Sequence, residues 1–227
     1  MPIRQSFSTP LYYVKPKTVD EYNEIHEELM SAHENTDYER PDQFPKSASH
    51  ELTPNPFESN VIKKYKCDIF LNFLKNAIKD YVSSLGYTHP LEYIIDASWL
   101  TKTCNGSFAI EHNHGATDIS GVYYLQTNGK DGNLFFKDPN ETLVSNLIMN
   151  LVVNQNIAPL EQGLLLMWPG YLAHGTYPNE TDDERLSLSF NIKFTRRGFT
   201  IKDNVEGTRG LVVRDDTWRD LVCFEDL

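Results

Sequence analysis

The feature that most constrains the fold is a series of short β-prone segments between residues 92 and 194. The segments are rich in β-branched and aromatic residues and are separated by Gly, Pro, Asn and Asp, which favour turns. The predicted strands are residues 93–103, 107–114, 121–126, 133–137, 163–168, 172–177 and 185–194. Asn105-Gly106, between the first two, is favoured in two-residue hairpins. So many short strands predict a β-sandwich or barrel.

Two helices are predicted before the strands begin. Residues 19–33 have one apolar face, and residues 61–85 form a clearer helix that Gly86 ends. The apolar stripe of the second helix is wide, with Cys67 at its margin: Ile62, Ile69, Phe70, Phe73, Leu74, Ala77, Ile78 and Tyr81. The four prolines of residues 35–59 predict an exposed loop, interpreted as a lid, a substrate-binding element or a solvated connector. The fold class is therefore mainly β, buttressed by N-terminal α-helices.

Size and charge limit the classes of function. The 227 residues suit one domain, with an N-terminal region 1–90, a core 91–195 and a C-terminal extension 196–227. Lys and Arg total 21 against 32 Asp and Glu, and the net charge of −11 disfavours general binding to nucleic acid or anionic membranes. Three widely spaced cysteines, no apolar signal region and no membrane-spanning stretch predict a reduced, cytoplasmic protein.

Two histidines on one predicted strand are the first candidate metal ligands. Side chains two residues apart on a strand point to the same face, so His112 and His114 lie together, in phase with Phe108 and Ile110. Apolar residues that lead into paired imidazoles fit the interior of a barrel with a metal near its mouth. Taken alone, the pair is also explained by surface or core histidines without a function, because short motifs recur often.

A third histidine and an arginine favour the metal-site interpretation over histidines without a function. His174 follows an apolar strand and a Pro-Gly turn, and eleven residues later Arg185 begins a strictly alternating segment. Ser187, Ser189 and Asn191 share the face of Arg185, while apolar residues take the other face. A solvent-facing polar row would need no function. If the row lines the barrel, it suits a dicarboxylate, because a guanidinium binds a carboxylate through two parallel hydrogen bonds and Ser187 donates another.

With these residues in place, residues 92–194 resemble the 2-oxoglutarate/Fe(II)-dependent oxygenase superfamily, in particular the small prolyl-hydroxylase-like oxygenases of bacteria and marine phages. The likeness is carried, in order and spacing, by residues 112–114, 120–125, 132–136, 163–175 and 185–191. The resemblance implies a double-stranded β-helix, or jelly roll, for the core. It also implies Fe(II) as cofactor, 2-oxoglutarate and O2 as co-substrates, and the cytoplasm of a bacterium or of a phage-infected host cell.

The resemblance further implies a role for individual side chains. His112 and His174 correspond to the first and last metal ligands of the superfamily. Arg185 corresponds to the partner of the 2-oxoglutarate C5 carboxylate, with Ser187 beside it. Tyr124 is a further 2-oxoglutarate contact or a plain core aromatic.

The third metal ligand is where this sequence departs from the superfamily. The usual motif is His-x-Asp or His-x-Glu, which completes a facial triad of two histidines and a carboxylate, but here His114 occupies the second position. Strand phase favours direct ligation by His114, which gives a three-histidine site. Two alternatives are that Asp118 bends back to supply a carboxylate, or that the position is vacant as in iron halogenases, where a small residue stands.

The implied activity is hydroxylation of a C–H bond in a peptidyl or small-molecule substrate, with release of succinate and CO2. Two other functions are weighed against it. Three-histidine iron sites also occur in cupin-type dioxygenases that do not use 2-oxoglutarate. The presence of Arg185 argues against this function. The second alternative is a jelly-roll binding module without enzymatic activity. Loss of His112, His174 or Arg185 would favour it, but all three residues are present.

Overall fold

The computed structural model describes residues 9–40, 50–56, 59–86, 92–115, 117–139, 155–195 and 211–214. These ranges contain three helices, namely α1 Val19–Glu34, α2 Val61–Lys64 and α3 Asp68–Ser84. They also contain ten strands, namely β1 Tyr12–Val14, β2 Glu51–Leu52, β3 Glu92–Thr103, β4 Ile119–Gln126, β5 Leu134–Lys137, β6 Gln155–Ile157, β7 Leu165–Pro169, β8 His174–Thr176, β9 Arg185–Thr195 and β10 Leu211–Arg214. The predicted fold class, mainly β with N-terminal helices, is confirmed.

Two antiparallel sheets form the β core. The larger follows the order β1-β7-β4-β9-β3-β10, with β2 also paired to β3, and the smaller follows β6-β5-β8. Side chains of both sheets pack in one apolar cluster, which includes Val122 and Tyr124 of β4, Leu134 and Phe136 of β5, and Trp168 of β7. The two sheets therefore lie face to face, as expected for a jelly roll.

The helices cover the opposite face of the larger sheet. Ile25 and Leu29 of α1 and Phe70 of α3 are fully buried and pack in one cluster with Tyr123 and Phe190 of the sheet. Burying one such side chain contributes about 1.5–3 kcal/mol relative to leaving it exposed. The helical layer thus fixes β4 and β9, whose other faces point into the space between the sheets.

The predicted alternation of β9 holds. Its apolar residues lie in the helix-side cluster: Leu186, Leu188, Phe190 and Ile192. Arg185, Ser187 and Ser189 line a cavity between the sheets, and Arg185 is only 3% exposed. The polar row therefore faces the interior of the protein rather than solvent.

The helix predicted over residues 61–85 is in fact two helices. α2 ends at Lys64 and α3 begins at Asp68, and Lys66 between them has a φ of 53° in the left-handed region. The Ile62 amide donates a hydrogen bond of 3.1 Å to Ser98 Oγ of β3. This bond ties α2 to β3 while apolar packing fixes α3 against the sheet, so the chain turns between them. Cys67, expected at the margin, is 1% exposed in this turn.

Residues 107–114 are extended but do not form the predicted strand. The Asn105-Gly106 turn is present, since Gly106 has a φ of 77° and the Ser107 amide donates to the Cys104 carbonyl. After the turn the chain does not pair back on β3, because β9 occupies one edge of β3 and β2 occupies the other edge at this end. The segment instead makes an isolated bridge between His112 and His174. Sequence proximity suggested the hairpin, and long-range pairing replaces it.

Residues 35–59 contain more structure than expected, and part of the C-terminal extension forms a strand. β2 pairs with β3, and Leu52 is 4% exposed and Thr53 3% exposed, which corrects the expectation of a wholly exposed loop. β10 pairs with the other end of β3. Both strands are too short to show a period of two in the sequence. Residues 41–49, 57–58, 196–210 and 215–227 lie outside the described residues. Among the described residues, no helix is long and apolar enough to cross a membrane.

Candidate functional site

Three imidazoles converge where β8 meets the segment that follows the Asn105-Gly106 turn. The candidate ligand atoms of His112, His114 and His174 all lie within 4.8 Å of one another. The amides of His112 and His174 each donate to the carbonyl of the other at 2.9 Å, and the His114 amide donates to the Gly170 carbonyl at 2.9 Å. Gly170 also allows Thr117 to lie close to it, since a Cβ there would collide with the Thr117 carbonyl. The backbone therefore holds the three histidines together.

Two of the imidazoles have a defined tautomer. His112 Nδ1 lies 2.7 Å from the Ile110 carbonyl oxygen, and His174 Nδ1 lies 2.8 Å from the Leu172 carbonyl oxygen. Because a carbonyl oxygen only accepts, each Nδ1 carries the proton and donates it. Each Nε2 therefore has a free lone pair. A backbone carbonyl that fixes the far side of a histidine ring is the usual support for a metal-ligating imidazole.

His114 is held by ring stacking and one polar neighbour. Its imidazole stacks on Trp99 with 5.9 Å between centroids and 12° between planes, and on His174 with 5.1 Å and 15°. Asn191 hydrogen-bonds to its side chain, and Asn191 Oδ1 also accepts from Ser120 Oγ at 3.0 Å. The third histidine is thus oriented toward the other two by residues of the larger sheet.

Burial keeps the deeper imidazoles uncharged. Desolvation, followed by the nearby His112, lowers the pKa of His114 to about 4, against a smaller opposing effect of the Asn191 hydrogen bond. Desolvation, again followed by His112, lowers the pKa of His174 to about 3. Both rings are therefore neutral near pH 7, which is the state that binds a metal ion.

The carboxylate of Asp118 already binds a backbone amide of β9. Asp118 Oδ2 accepts a hydrogen bond of 2.8 Å from the Phe194 amide, and its backbone bonds to Ile192 and Gly170. Of the His, Cys, Asp and Glu side chains in the described residues, only the three histidines form a cluster able to hold a metal. The geometry therefore favours His114 over Asp118 as the third ligand.

The donor set fits one divalent transition metal ion. Neutral imidazoles suit iron, zinc, copper and nickel, whereas magnesium and calcium prefer oxygen ligands. Metal–imidazole bonds of about 2.1 Å allow two ligand atoms to lie at most about 4.2 Å apart. Small side-chain rotations therefore bring the present cluster, with its atoms within 4.8 Å, into binding geometry.

An inner cavity of about 90 Å³ extends from the histidine cluster between the sheets and includes Arg185 in its lining. One water molecule needs about 10–15 Å³ on the same measure, so the cavity admits a group of several heavy atoms. Tyr124, Ser187 and Thr103 also line it. Tyr124 is 2% exposed, and burial raises the pKa of its hydroxyl to about 12, although the nearby Arg185 opposes this shift. The predicted co-substrate residues thus share one cavity with the predicted metal ligands.

Arg185 carries a buried charge that lacks a carboxylate partner among the described residues. Its Nη1 donates to the carbonyls of Asp131 and Gly132, and its Nη2 donates to Thr103 Oγ1 at 3.2 Å. The Nε atom is buried without a hydrogen-bond partner in the described structure. Burial lowers the pKa of the guanidinium, against smaller opposing effects of Tyr124 and Asp131, and burying a charge without a close anionic partner is costly. An anionic ligand in the cavity would offset that cost.

The loop that holds the guanidinium was not anticipated from the sequence. Asp131 is fully buried, and its carboxylate accepts from Thr127 Oγ1 at 2.8 Å and from the Asn128 amide at 2.9 Å. Gly132 has a φ of 93°, and a Cβ there would collide with the Tyr177 carbonyl. The Asp-Gly pair was visible as a turn signal. Its relation to Arg185 depends on long-range packing.

Trp168 is a second cavity residue that sequence reasoning placed only in an apolar strand. It is 3% exposed, lines the inner cavity, and meets His174 edge to face with 4.8 Å between centroids. Its Nε1–H has no hydrogen-bond partner among the described residues. A buried indole N–H ordinarily has a partner, so this donor is available to a ligand in the cavity.

A larger outer cavity of about 400 Å³ also borders the histidine cluster. It shares His50, Trp99, His112 and His114 with the inner cavity. His50, Leu52 and Pro56 form part of its wall, so the described part of residues 35–59 lies at the site, as one of the interpretations of that segment expected.

Residues 97–191 match the family model described as putative 2OG-Fe(II) oxygenase. The match contains His112, His114, His174 and Arg185, and it confirms the resemblance to the 2-oxoglutarate/Fe(II)-dependent oxygenase superfamily. Fe(II) and 2-oxoglutarate, the cofactor and co-substrate predicted from the sequence, are those in the name of this family. No curated protein matches the chain in sequence.

Several solved structures share the fold of this chain at low sequence identity. The carbocyclase SnoK from nogalamycin biosynthesis, described as non-heme and alpha ketoglutarate dependent, gives a TM-score of 0.60 at 10% identity, covering 90% of this chain and 92% of its own. A Pseudomonas putida prolyl-4-hydroxylase gives 0.56 at 14% identity, covering 84% and 94%. HygX from Streptomyces hygroscopicus, solved with nickel, 2-oxoglutarate and hygromycin B, gives 0.52 at 14% identity, covering 81% and 82%. These likenesses confirm the jelly-roll core.

Proposed function

We propose that this chain, whose residues 97–191 match the 2OG-Fe(II) oxygenase family, hydroxylates a C–H bond of a small-molecule or peptidyl substrate. The observation that carries the proposal is the pairing of two features in one space. Three imidazoles converge at one end of the inner cavity, and a buried arginine with a free Nε lines the same cavity. A metal ion and a dicarboxylate satisfy both features together.

Each side chain has a part in this proposal. His112, His114 and His174 hold Fe(II), which with 2-oxoglutarate and O2 supplies an oxidant able to remove hydrogen from an unactivated carbon. Arg185 binds the C5 carboxylate through its guanidinium, and Ser187 donates a further hydrogen bond. The Tyr124 hydroxyl stays protonated near pH 7, because its pKa is about 12, and so remains a donor to the same carboxylate. The apolar cluster between the sheets excludes water from this end of the cavity.

Succinate formation tests the proposal directly. Purified protein is loaded with Fe(II), supplied with 2-oxoglutarate under air, and assayed for succinate and CO2. We expect succinate to form at a rate that requires both iron and O2. Absence of succinate in a folded protein that retains iron would contradict the proposal.

The three-histidine set also favours one alternative, a cupin-type dioxygenase that oxidises its substrate without 2-oxoglutarate. Arg185 argues against this alternative, because its position corresponds to the residue that anchors 2-oxoglutarate in the oxygenase superfamily. Oxygen consumption with a thiol substrate, independent of 2-oxoglutarate, would favour this alternative. Oxygen consumption in a one-to-one ratio with succinate favours the oxygenase proposed here.

Replacing His114 with aspartate is expected to raise the Fe(II) affinity by about tenfold, the scale on which changes around metal ligands act. The carboxylate adds a negative charge beside the metal, which attracts the cation and weakens the binding of anionic 2-oxoglutarate. Anaerobic calorimetric titration with Fe(II), followed by 2-oxoglutarate, measures both affinities. His114→Asn is the matched control, since it has the shape of aspartate without its charge. Equal or weaker iron binding by His114→Asp than by His114→Asn would count against His114 as a ligand.

Replacing Trp168 with phenylalanine is expected to weaken 2-oxoglutarate binding by about tenfold. The change keeps an aromatic ring but removes the pyrrole part of the indole with its unpartnered N–H, and a hydrogen bond to a charged group contributes about 1.5–3 kcal/mol. The measurement is the dissociation constant of 2-oxoglutarate for the Zn(II)-loaded protein, with Zn(II) affinity as the internal control. A dissociation constant within twofold of the unmodified protein would show that the indole N–H does not contact the ligand.

A further inference from the structure

The outer cavity beside the imidazoles has the size of a small-molecule site. Its volume is about 400 Å³, within the range of roughly 300–1,000 Å³ typical of such sites. Because it shares His112 and His114 with the inner cavity, a molecule in it lies beside the proposed metal. The position is that of the substrate, so the composition of its wall indicates the class of substrate.

Most of the surface area of the wall is apolar, although eight of its thirteen residues have polar side chains. The apolar residues come from β2 and its following turn, from β3 and from the segment that carries His112: Leu52, Pro56, Ala97, Trp99 and Ile110. Trp99 is 8% exposed and stacks on His114. A ligand of this cavity therefore buries an apolar part close to the proposed metal.

Two charged residues of opposite sign stand in the same wall. Among the residues that line the cavity, Asp96 supplies the only carboxyl group and Lys193 the only amino group. Lys193 Nζ lies 2.6 Å from Asp96 Oδ2, and the two side chains are 39% and 42% exposed. An ion pair this accessible contributes only about 0–1 kcal/mol. Separating the pair to meet the charges of a ligand therefore costs little.

A β-bulge directs Asp96 into the cavity. Ile95 pairs with Ile192, and Ala97 pairs with the adjacent Asn191, so Asp96 is an extra residue on β3. Before the bulge Ile95 belongs to the helix-side cluster, and after it Leu100 does, so the alternation of the strand changes phase. Bulges often re-aim a side chain next to a functional site. Here Asp96 and Ala97 both line the outer cavity, which regular alternation would not allow.

We propose that the outer cavity binds a small zwitterion, a free α-amino acid with an apolar side chain, as the substrate of the oxygenase function proposed above. Its ammonium group binds Asp96, its carboxylate binds Lys193, and its side chain lies against Trp99 toward the metal. An internal residue of a peptide carries neither charge. In the reaction one C–H of the amino acid becomes C–OH. One oxygen atom of O2 enters that bond, and the other enters succinate as 2-oxoglutarate loses CO2.

The first test compares free and capped amino acids. L-leucine, L-proline and L-phenylalanine, their N-acetyl and carboxamide derivatives, and short peptides that contain them internally are added to the Fe(II)-loaded protein with 2-oxoglutarate under air. At least one free amino acid is expected to raise succinate formation at least tenfold above background. Its capped forms and the peptides are expected to have less than a tenth of that effect. Stimulation by peptides instead would overturn the inference and favour a peptidyl substrate.

The second test asks whether each charge recognises its own group. Asp96→Asn is expected to raise the KM for the free amino acid at least tenfold and to reduce the discrimination against the N-acetyl form. Lys193→Gln is expected to reduce the discrimination against the carboxamide. If the ion pair has only a structural role, each variant would change the KM of the free amino acid, the N-acetyl form and the carboxamide by the same factor. That result would overturn the inference. Lys15→Gln removes another exposed ion pair, with Glu161, and serves as the matched control.

Binding is measured separately from turnover, so the two proposals fail in different ways. Saturation-transfer NMR on the Zn(II)-loaded protein is expected to detect the free amino acid and to lose the signal in Asp96→Asn and Lys193→Gln. Amino-acid binding without any succinate formation would contradict the oxygenase proposal and leave the zwitterion site standing. Succinate formation with no binding or stimulation by free amino acids would overturn the zwitterion site alone.

Discussion

Replacing His174 with alanine is expected to weaken Fe(II) binding by more than about 100-fold and to abolish succinate formation. Loss of a supporting partner of a metal ligand already costs about 10–100-fold in affinity, and here the ligand itself is removed. His174 is the most buried of the three histidines, with 4% exposure. Its Nδ1 donates to the Leu172 carbonyl, so the lone pair of its Nε2 is free to bind a metal. Anaerobic calorimetry with Fe(II) measures the loss.

The control for this variant is His26→Ala, which removes a histidine of α1 that stacks on Tyr22. Its iron affinity is expected to equal that of the unmodified protein. Circular dichroism establishes that both variants fold, and added imidazole is expected to restore part of the iron binding of His174→Ala. Unchanged iron affinity in folded His174→Ala protein would remove the histidine cluster from consideration as the metal site.

Replacing Arg185 with methionine is expected to weaken 2-oxoglutarate binding by at least 100-fold while leaving a metal site that still takes up Zn(II) or Fe(II). Removing one partner of a buried charge pair costs about 2–5 kcal/mol or more, and methionine keeps most of the apolar bulk. Arg185→Lys retains the charge without the planar fork and is expected to have an intermediate affinity. This order separates the contribution of charge from that of geometry.

Thermal denaturation of the Zn(II)-loaded protein gives an independent measure of the same effect. A ligand at 100 times its dissociation constant stabilises the folded state by about 2.7 kcal/mol. Saturating 2-oxoglutarate is therefore expected to raise the melting temperature of the unmodified protein by several degrees. No such rise is expected for Arg185→Met. An equal rise in both proteins would place the 2-oxoglutarate site elsewhere.

The features that the sequence predicted correctly follow from residue patterns that repeat over a few positions. The alternation of β9 placed Arg185 and Ser187 on one face, and that face lines the inner cavity. The spacing of His112 and His114 brought the two imidazoles together although the predicted strand around them is absent, because an extended chain has the same period of two. Local patterns of this kind are set by residues close in the chain.

The features that sequence missed depend on contacts between distant residues. The break at Lys66 follows from hydrogen bonds between α2 and β3, 36 residues apart in the case of Ile62 and Ser98. The bulge at Asp96 is defined only by the register of β3 on β9. The unpartnered N–H of Trp168 is invisible until the cavity exists. The periodic pattern of residues in a single sequence gives no information about such long-range contacts.

The measurement that tests the central claim most directly is an anaerobic titration with Fe(II) and 2-oxoglutarate followed by visible absorption. The account predicts a charge-transfer band that saturates at one iron and one 2-oxoglutarate per chain. The band is expected to disappear in His114→Ala, where the metal site is incomplete, and in Arg185→Met, where the co-substrate has lost its anchor. An unmodified protein that binds iron without the band, or a band of equal intensity and affinity in both variants, would contradict the account.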